Sequence, residues 1–197
     1  MNSQKNLMLQ VDGVITDHEF GSFGTVYNAL VESLRVQERI IVSIIINGVE
    51  VLADKVESFP CNEVHHAIIS TQQKNQFIQG LLESVTDYIP NLCKGIIKIA
   101  NLLQADRQEE SYELFVQAIE GLEWTNSCIS GLLELCNEQR NDDLYNLNIK
   151  FHNHLLELEQ AMELQSTTDI ADILEYVLAP TLVDIGITLS DYSIKPV

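Results

Sequence analysis

The sequence predicts an α+β protein: a small sheet with one helix over residues 1–71, then an antiparallel four-helix bundle over residues 72–197. Three observations carry this reading. Asp12-Gly13 and Asn47-Gly48 each sit between short apolar runs, which is a strong hairpin signal. Near Thr71 the apolar period changes from two to 3.6 residues. Beyond that point the apolar stripes are broken only by QADRQEES, NEQRNDD and QSTTD, short polar turns that predict antiparallel neighbours.

Taken in order, LMLQVDGVITD gives two strands about Asp12-Gly13. GSFGTVYNALVESLRVQ follows as a helix, with Ser22 as N-cap and Phe23, Val26, Leu30 and Leu34 on one face. IIVSIIINGVEVL is a strand turned at Asn47-Gly48 into Val49–Leu52, and after Phe59-Pro60 the stretch VHHAIIST supplies the last strand. Simple alternation places Ile40, Val42, Ile44 and Ile46 on one face and Ile41, Ser43 and Ile45 on the other. Both faces are apolar, so both need cover.

The order ββ-α-ββ-β is similar to the ubiquitin-like β-grasp, in which one helix packs across a small mixed sheet. The resemblance covers the first third of the chain and rests on element order and turn positions. It implies a fold, and it brings one chemistry with it: ubiquitin-like modifiers and sulfur carriers end in a free Gly-Gly tail whose carboxylate is activated. Here the last strand runs on into helices and the sequence ends SIKPV, so that activity is not expected.

Phe77/Ile78, Leu81/Leu82, Val85, Tyr88/Ile89, Leu92/Cys93, Ile96/Ile97 and Leu103 form the first helical stripe. Tyr112, Phe115, Ala118/Ile119, Leu122, Ile129, Leu132/Leu133 and Cys136 form the second, and Leu144, Leu147, Phe151, Leu155, Leu158 and Met162 the third. The fourth carries Ile170, Ile173/Leu174, Val177/Leu178, Leu182, Ile185 and Leu189, with Thr167 or Thr168 as N-cap. Helices are expected at 72–104, 108–139, 142–165 and 168–190. Pro90 and Pro180 should bend the first and fourth, because an internal proline removes a backbone hydrogen bond at a cost of about 3 kcal/mol.

The net charge is −18, unevenly spread: residues 1–99 carry 7 Lys/Arg against 11 Asp/Glu, and residues 100–197 carry 4 against 18. So acidic a surface repels phosphate backbones and anionic lipid heads, which argues against nucleic acid and membrane and favours basic partners. MNSQKNLMLQ has neither the apolar stretch nor the small-residue cleavage site of a leader, and no apolar run is long enough to span a bilayer. Cys61, Cys93, Cys128 and Cys136 form no Cys-x-x-Cys pair, and Cys128 and Cys136 would lie about 12 Å apart along one helix. They read as small hydrophobes in a reducing, cytoplasmic setting.

No residue pattern demands a cofactor. His65 and His66 are adjacent on a strand and His152 and His154 two apart on a helix, so each pair diverges. His154 and Glu157 can meet at i, i+3, yet a di-iron bundle needs Glu-x-x-His twice plus two further glutamates. GSFGT before a helix could present amides to an anion, but lacks the Gly-Lys-Ser/Thr of a P-loop. Glu109-Glu110 and Asp142-Asp143 suit helix starts. Trp124, the only tryptophan, lies just off the second stripe, where exposure would suit a contact surface.

The expected function is therefore a non-catalytic cytoplasmic interaction protein, an adaptor or chaperone-like scaffold. Its second sheet face, reinforced by Ile68 or Ile69, would be covered jointly by the helical bundle and by a second copy in a two-fold homodimer. Ile41, Ile45, Ile68 and Trp124 are the candidate interface residues. The alternative is a helical bundle that binds a small ligand or a metal, for which a cavity lined by His152 or His154 with converging carboxylates would be the sign.

Overall fold

The computed structural model describes residues 7–18, 23–56, 59, 64–136 and 142–192. The Ser22 N-cap, the first residues of GSFGT, Pro60, Cys61, most of the NEQRNDD turn and the SIKPV end lie outside them. The chain divides into two compact units, Met1–Phe77 and Ile78–Val197.

In the first unit, β1 (Leu7–Val11), β2 (Val14–His18), α1 (Phe23–Val36), β3 (Arg39–Ile46), β4 (Val49–Glu50) and β5 (His66–Gln73) form one five-stranded mixed sheet with a single long helix. The strand order is β2-β1-β5-β3-β4, and only β1 and β5 run parallel. Both two-residue turns take positive φ at both positions, 48° and 84° at Asp12-Gly13 and 50° and 84° at Asn47-Gly48. Asn and Asp tolerate that region and glycine occupies it without cost, so these dipeptides fix the hairpin registers. β4 is shorter than Val49–Leu52, but Val51 still donates its N–H to the Ile44 carbonyl at 2.8 Å and packs on the core.

The same turns also hold the central strand. Asn47 Oδ1 accepts from the N–H groups of His65 (3.0 Å) and His66 (3.1 Å), at the start of β5. Asp12 accepts from the Thr71 N–H at 2.7 Å, the Thr71 hydroxyl at 2.6 Å and Arg39 Nη2 at 2.8 Å, near the end of β5. The Thr71 hydroxyl, then its N–H and the Arg39 charge, hold the Asp12 carboxyl below its usual range against the opposing pull of burial. A lowered folded pKa stabilises fully above the unfolded value of about 3.9, and that contribution is lost as pH falls through the folded value. Asp12→Asn retains the tolerance for positive φ. It should nevertheless be less stable than the wild type at pH 7, by about 1 kcal/mol for so exposed a group, and the two should converge in acid. Urea titrations at neutral pH and in acid strong enough to protonate the folded carboxyl check this; a gap that persists there would place its origin outside the charge.

The core of this unit joins Phe23, Val26 and Tyr27 of α1 to Leu7, Leu9, Ile44, Ile46, Ala67 and Ile69 of the sheet, with Leu30 packed against it. One feature of β3 departs from simple alternation. A bulge between Ile41 and Ser43 leaves Val42 without a partner, so Ile41 pairs with Thr71 while Ser43 pairs with Ser70. An extra residue reverses which face each side chain takes. Ile41 therefore joins Ile44 and Ile46 against the core, and Ile40 moves to the side of Ser43 and Ile45.

The second unit contains α2 (Lys74–Gln104, whose first turn belongs to the sheet unit), α3 (Gln108–Leu135) and α4 (Asp142–Glu163). A fourth helix is built from α5 (Thr167–Asp172), a π-helical segment (Ile173–Leu178) and α6 (Ala179–Ser190). Fully buried Ile96, Leu122, Ile129, Phe151, Leu174 and Leu182 come from all four helices. α2 ends with Asp106 at φ 57°: the Arg107 N–H reaches the Leu102 carbonyl at 2.9 Å and the Asp106 N–H that of Leu103 at 3.1 Å. Gln165, at φ 53°, ends α4 in the same way through the Ala161 and Met162 carbonyls. These are Schellman closures without glycine. Ser166 is the N-cap of α5, accepting from the Asp169 N–H, where the sequence suggests Thr167 or Thr168. α2 remains helical through Pro90. Ahead of Pro180 the helix widens to π geometry, which accommodates a ring that would otherwise crowd the carbonyl four residues back.

Candidate functional site

The face of the sheet away from α1 is built from residues paired across the strands. Ile15 of β2 lies opposite Gln10 of β1, Gln10 beside Ile68 of β5, Ile68 opposite Ile45 of β3, and Ile45 opposite Glu50 of β4. Paired residues share a face, so this row sets three isoleucines among polar neighbours. Met8 and Ile15 are 42% and 58% exposed, and Ile45 and Ile68 are half-buried. Ile40, opposite Gln72, extends the apolar strip; Ser43 and Ser70 interrupt it. Of the four candidate interface residues, Ile45 and Ile68 thus face each other here, whereas the bulge turns Ile41 inward.

Trp124 belongs to the helical unit. It is 40% exposed, and its ring meets Tyr88 edge-on with centroids 5.0 Å apart. Gly121, one turn earlier on α3, makes room for this pair, since a Cβ there would collide with the Tyr88 hydroxyl.

The same unit holds an open groove of about 540 Å³ between α3 and α4. Its apolar lining includes Ile119, Leu155, Leu156 and Met162. Glu123 and Asn126 of α3 and His152 and Glu159 of α4 supply polar groups, and among the described residues neither Lys nor Arg lines it. The cations Lys94, Lys98 and Arg107 gather instead around a shallower depression with Ile97 and Leu102. Two buried side-chain oxygens without a partner among the described residues, Asn126 Oδ1 and Asn148 Oδ1, lie along the α3–α4 seam, where Asn148 Nδ2 donates to Ser130 Oγ at 3.3 Å. The sequence gives no direct sign of this groove. Its nearest signal is a second line on α4, Tyr145, Ile149, His152, Leu156 and Glu159, spaced i, i+4, i+7, i+11 and i+14 on the side away from Phe151 and Leu158.

The titratable groups are otherwise dispersed. His154 Nδ1 lies 3.2 Å from Glu157 Oε2, the meeting that i, i+3 spacing predicts, while His152 diverges into the groove. Among the described residues no three His, Cys, Asp or Glu side chains are grouped to hold a metal ion. Cys93, Cys128 and Cys136 are free thiols, and burial pushes the pKa of Cys93 and Cys128 up. Burial, followed by its contact with Cys136, does the same to Tyr192. Glu109 and Glu110, and Asp142 and Asp143, occupy the first turns of α3 and α4. No helix among the described residues is long and apolar enough to cross a membrane.

Residues 80–186, more than half of the chain, match the family described as a domain of unknown function (DUF8042), and the chain belongs to that family. No curated protein and no solved structure matches it.

Proposed function

We propose that this member of the DUF8042 family is a non-catalytic interaction protein, an adaptor or chaperone-like scaffold, that pairs with a second copy through the outer face of its sheet. The observation that carries the proposal is the row Ile15, Ile68 and Ile45, flanked by Met8 and Ile40 on the face that α1 leaves open. Exposed apolar side chains gathered on one sheet face suit a contact surface, and a two-fold axis lying along this row would set each isoleucine against its counterpart. The strand order supports reading the sheet as a ubiquitin-like β-grasp, here used as a contact surface. Cys93 and Cys128, whose pKa burial raises, are poorly disposed to become thiolate nucleophiles, and unbridged thiols suit a cytoplasmic home.

Ile45→Lys tests the pairing without breaking the fold, since the new ammonium would lie across from Glu50. Light scattering at micromolar concentration should give a dimer for the wild type and a monomer for Ile45→Lys, with unchanged circular dichroism. A monomeric wild type, or a variant that stays dimeric, would overturn the proposal.

A small-ligand bundle is the second reading, and the α3–α4 groove lined by His152, Glu123 and Glu159 is what favours it. The groove is an open trough with its carboxylates at the rim, which suits a segment laid along it better than an enclosed small molecule.

A further inference from the structure

We propose that the α3–α4 groove is a docking site for a basic amphipathic helix. This rests on reading the protein as an interaction module, but it uses a different surface from the sheet.

Two features point to that occupant. The first is apolar surface that the bundle does not use. Leu156 and Met162 in the groove are 43% and 38% exposed, and Ile149 and Tyr145 continue the same side of α4. A trough between two packed helices admits a third along its length, with anchors at i, i+3 or i+4, and i+7. Met162 and the leucines can adjust to such anchors. The second is charge. Exposed Glu123 and Glu159 flank the trough, no cation among the described residues lines it, and residues 100–197 carry 18 acidic side chains against 4 basic ones. Lys or Arg beside the apolar anchors would meet carboxylates on both walls.

The test uses the full chain and a fluorescent Leu/Lys peptide patterned as an amphipathic helix, followed by anisotropy in wild type and in Ile45→Lys. Saturable binding is expected in both. Glu123→Lys/Glu159→Lys and, separately, Leu156→Asp should weaken it about tenfold or more. Glu134→Lys/Asp184→Lys makes the same change of net charge at exposed positions outside the groove, and should leave binding within about twofold. A scrambled peptide of equal composition should bind about tenfold more weakly, as should the same pattern with Glu for Lys. Circular dichroism confirms the fold of each variant.

The proposal is overturned if the scrambled or the acidic peptide binds equally well, if the control charge pair weakens binding as much as the groove pair, or if the patterned peptide does not bind. Loss of the dimer in Leu156→Asp would also overturn it, by assigning the groove to a second copy. Peptide binding that fails while Ile45→Lys still dissociates the dimer removes this inference and leaves the sheet reading standing.

Discussion

Phe151→Ala should destabilise the helical unit by about 3–5 kcal/mol, the cost of removing a fully buried aromatic side chain and leaving a cavity. Phe151 has no exposed surface and lies within a cluster drawn from all four helices, so no neighbour can close the gap without moving a helix. Trp124, the only tryptophan, belongs to the same unit and reports its unfolding by fluorescence. The urea midpoint should fall sharply with little change in slope. Phe151→Leu fills much of the space and should cost about 1–2 kcal/mol. A loss below about 1 kcal/mol for Phe151→Ala would contradict close packing at this seam.

The second large effect belongs to β5, where adjacent residues should behave in opposite ways. Ile69 is fully buried, opposite Ile44 and beside Val11. Ile69→Ala should cost about 2–4 kcal/mol, most of the roughly 3–5 kcal/mol that a unit of this size can hold. The methyl signals of Ile44 and Ile46 should then lose their folded dispersion. Ile68 points the other way and is half-buried. Ile68→Ala should cost about 1 kcal/mol or less in stability and instead weaken self-association. If Ile68→Ala proved the more destabilising of the two, the strand register would be wrong.

This contrast shows where the sequence was informative. The turns at Asp12-Gly13 and Asn47-Gly48 were readable because few residues accept positive φ, and the four helices because a 3.6-residue stripe persists over many turns. The choice between Ile68 and Ile69 was not readable. Both are isoleucine, and only pairing with Ile45 and Ile44 assigns their faces. Ile41 was misplaced for a related reason: the extra residue of the bulge, Val42, is an ordinary strand residue, with no glycine or proline to mark it. The cap of α5 fell on Ser166 within three consecutive hydroxyl residues, selected by the left-handed Gln165 that closes α4. The groove was hidden because Glu123 and Asn126 meet His152 and Glu159 only when α3 packs on α4, although the second apolar line on α4 pointed towards it.

The proposed self-association through the sheet is tested most directly by isotope-filtered NOE spectroscopy on a mixture of isoleucine-methyl-labelled and unlabelled protein. Intermolecular NOEs should arise from the methyls of Ile45 and Ile68 and not from the buried Ile69. Their absence in a dimeric sample, or contacts confined to other surfaces, would contradict the account.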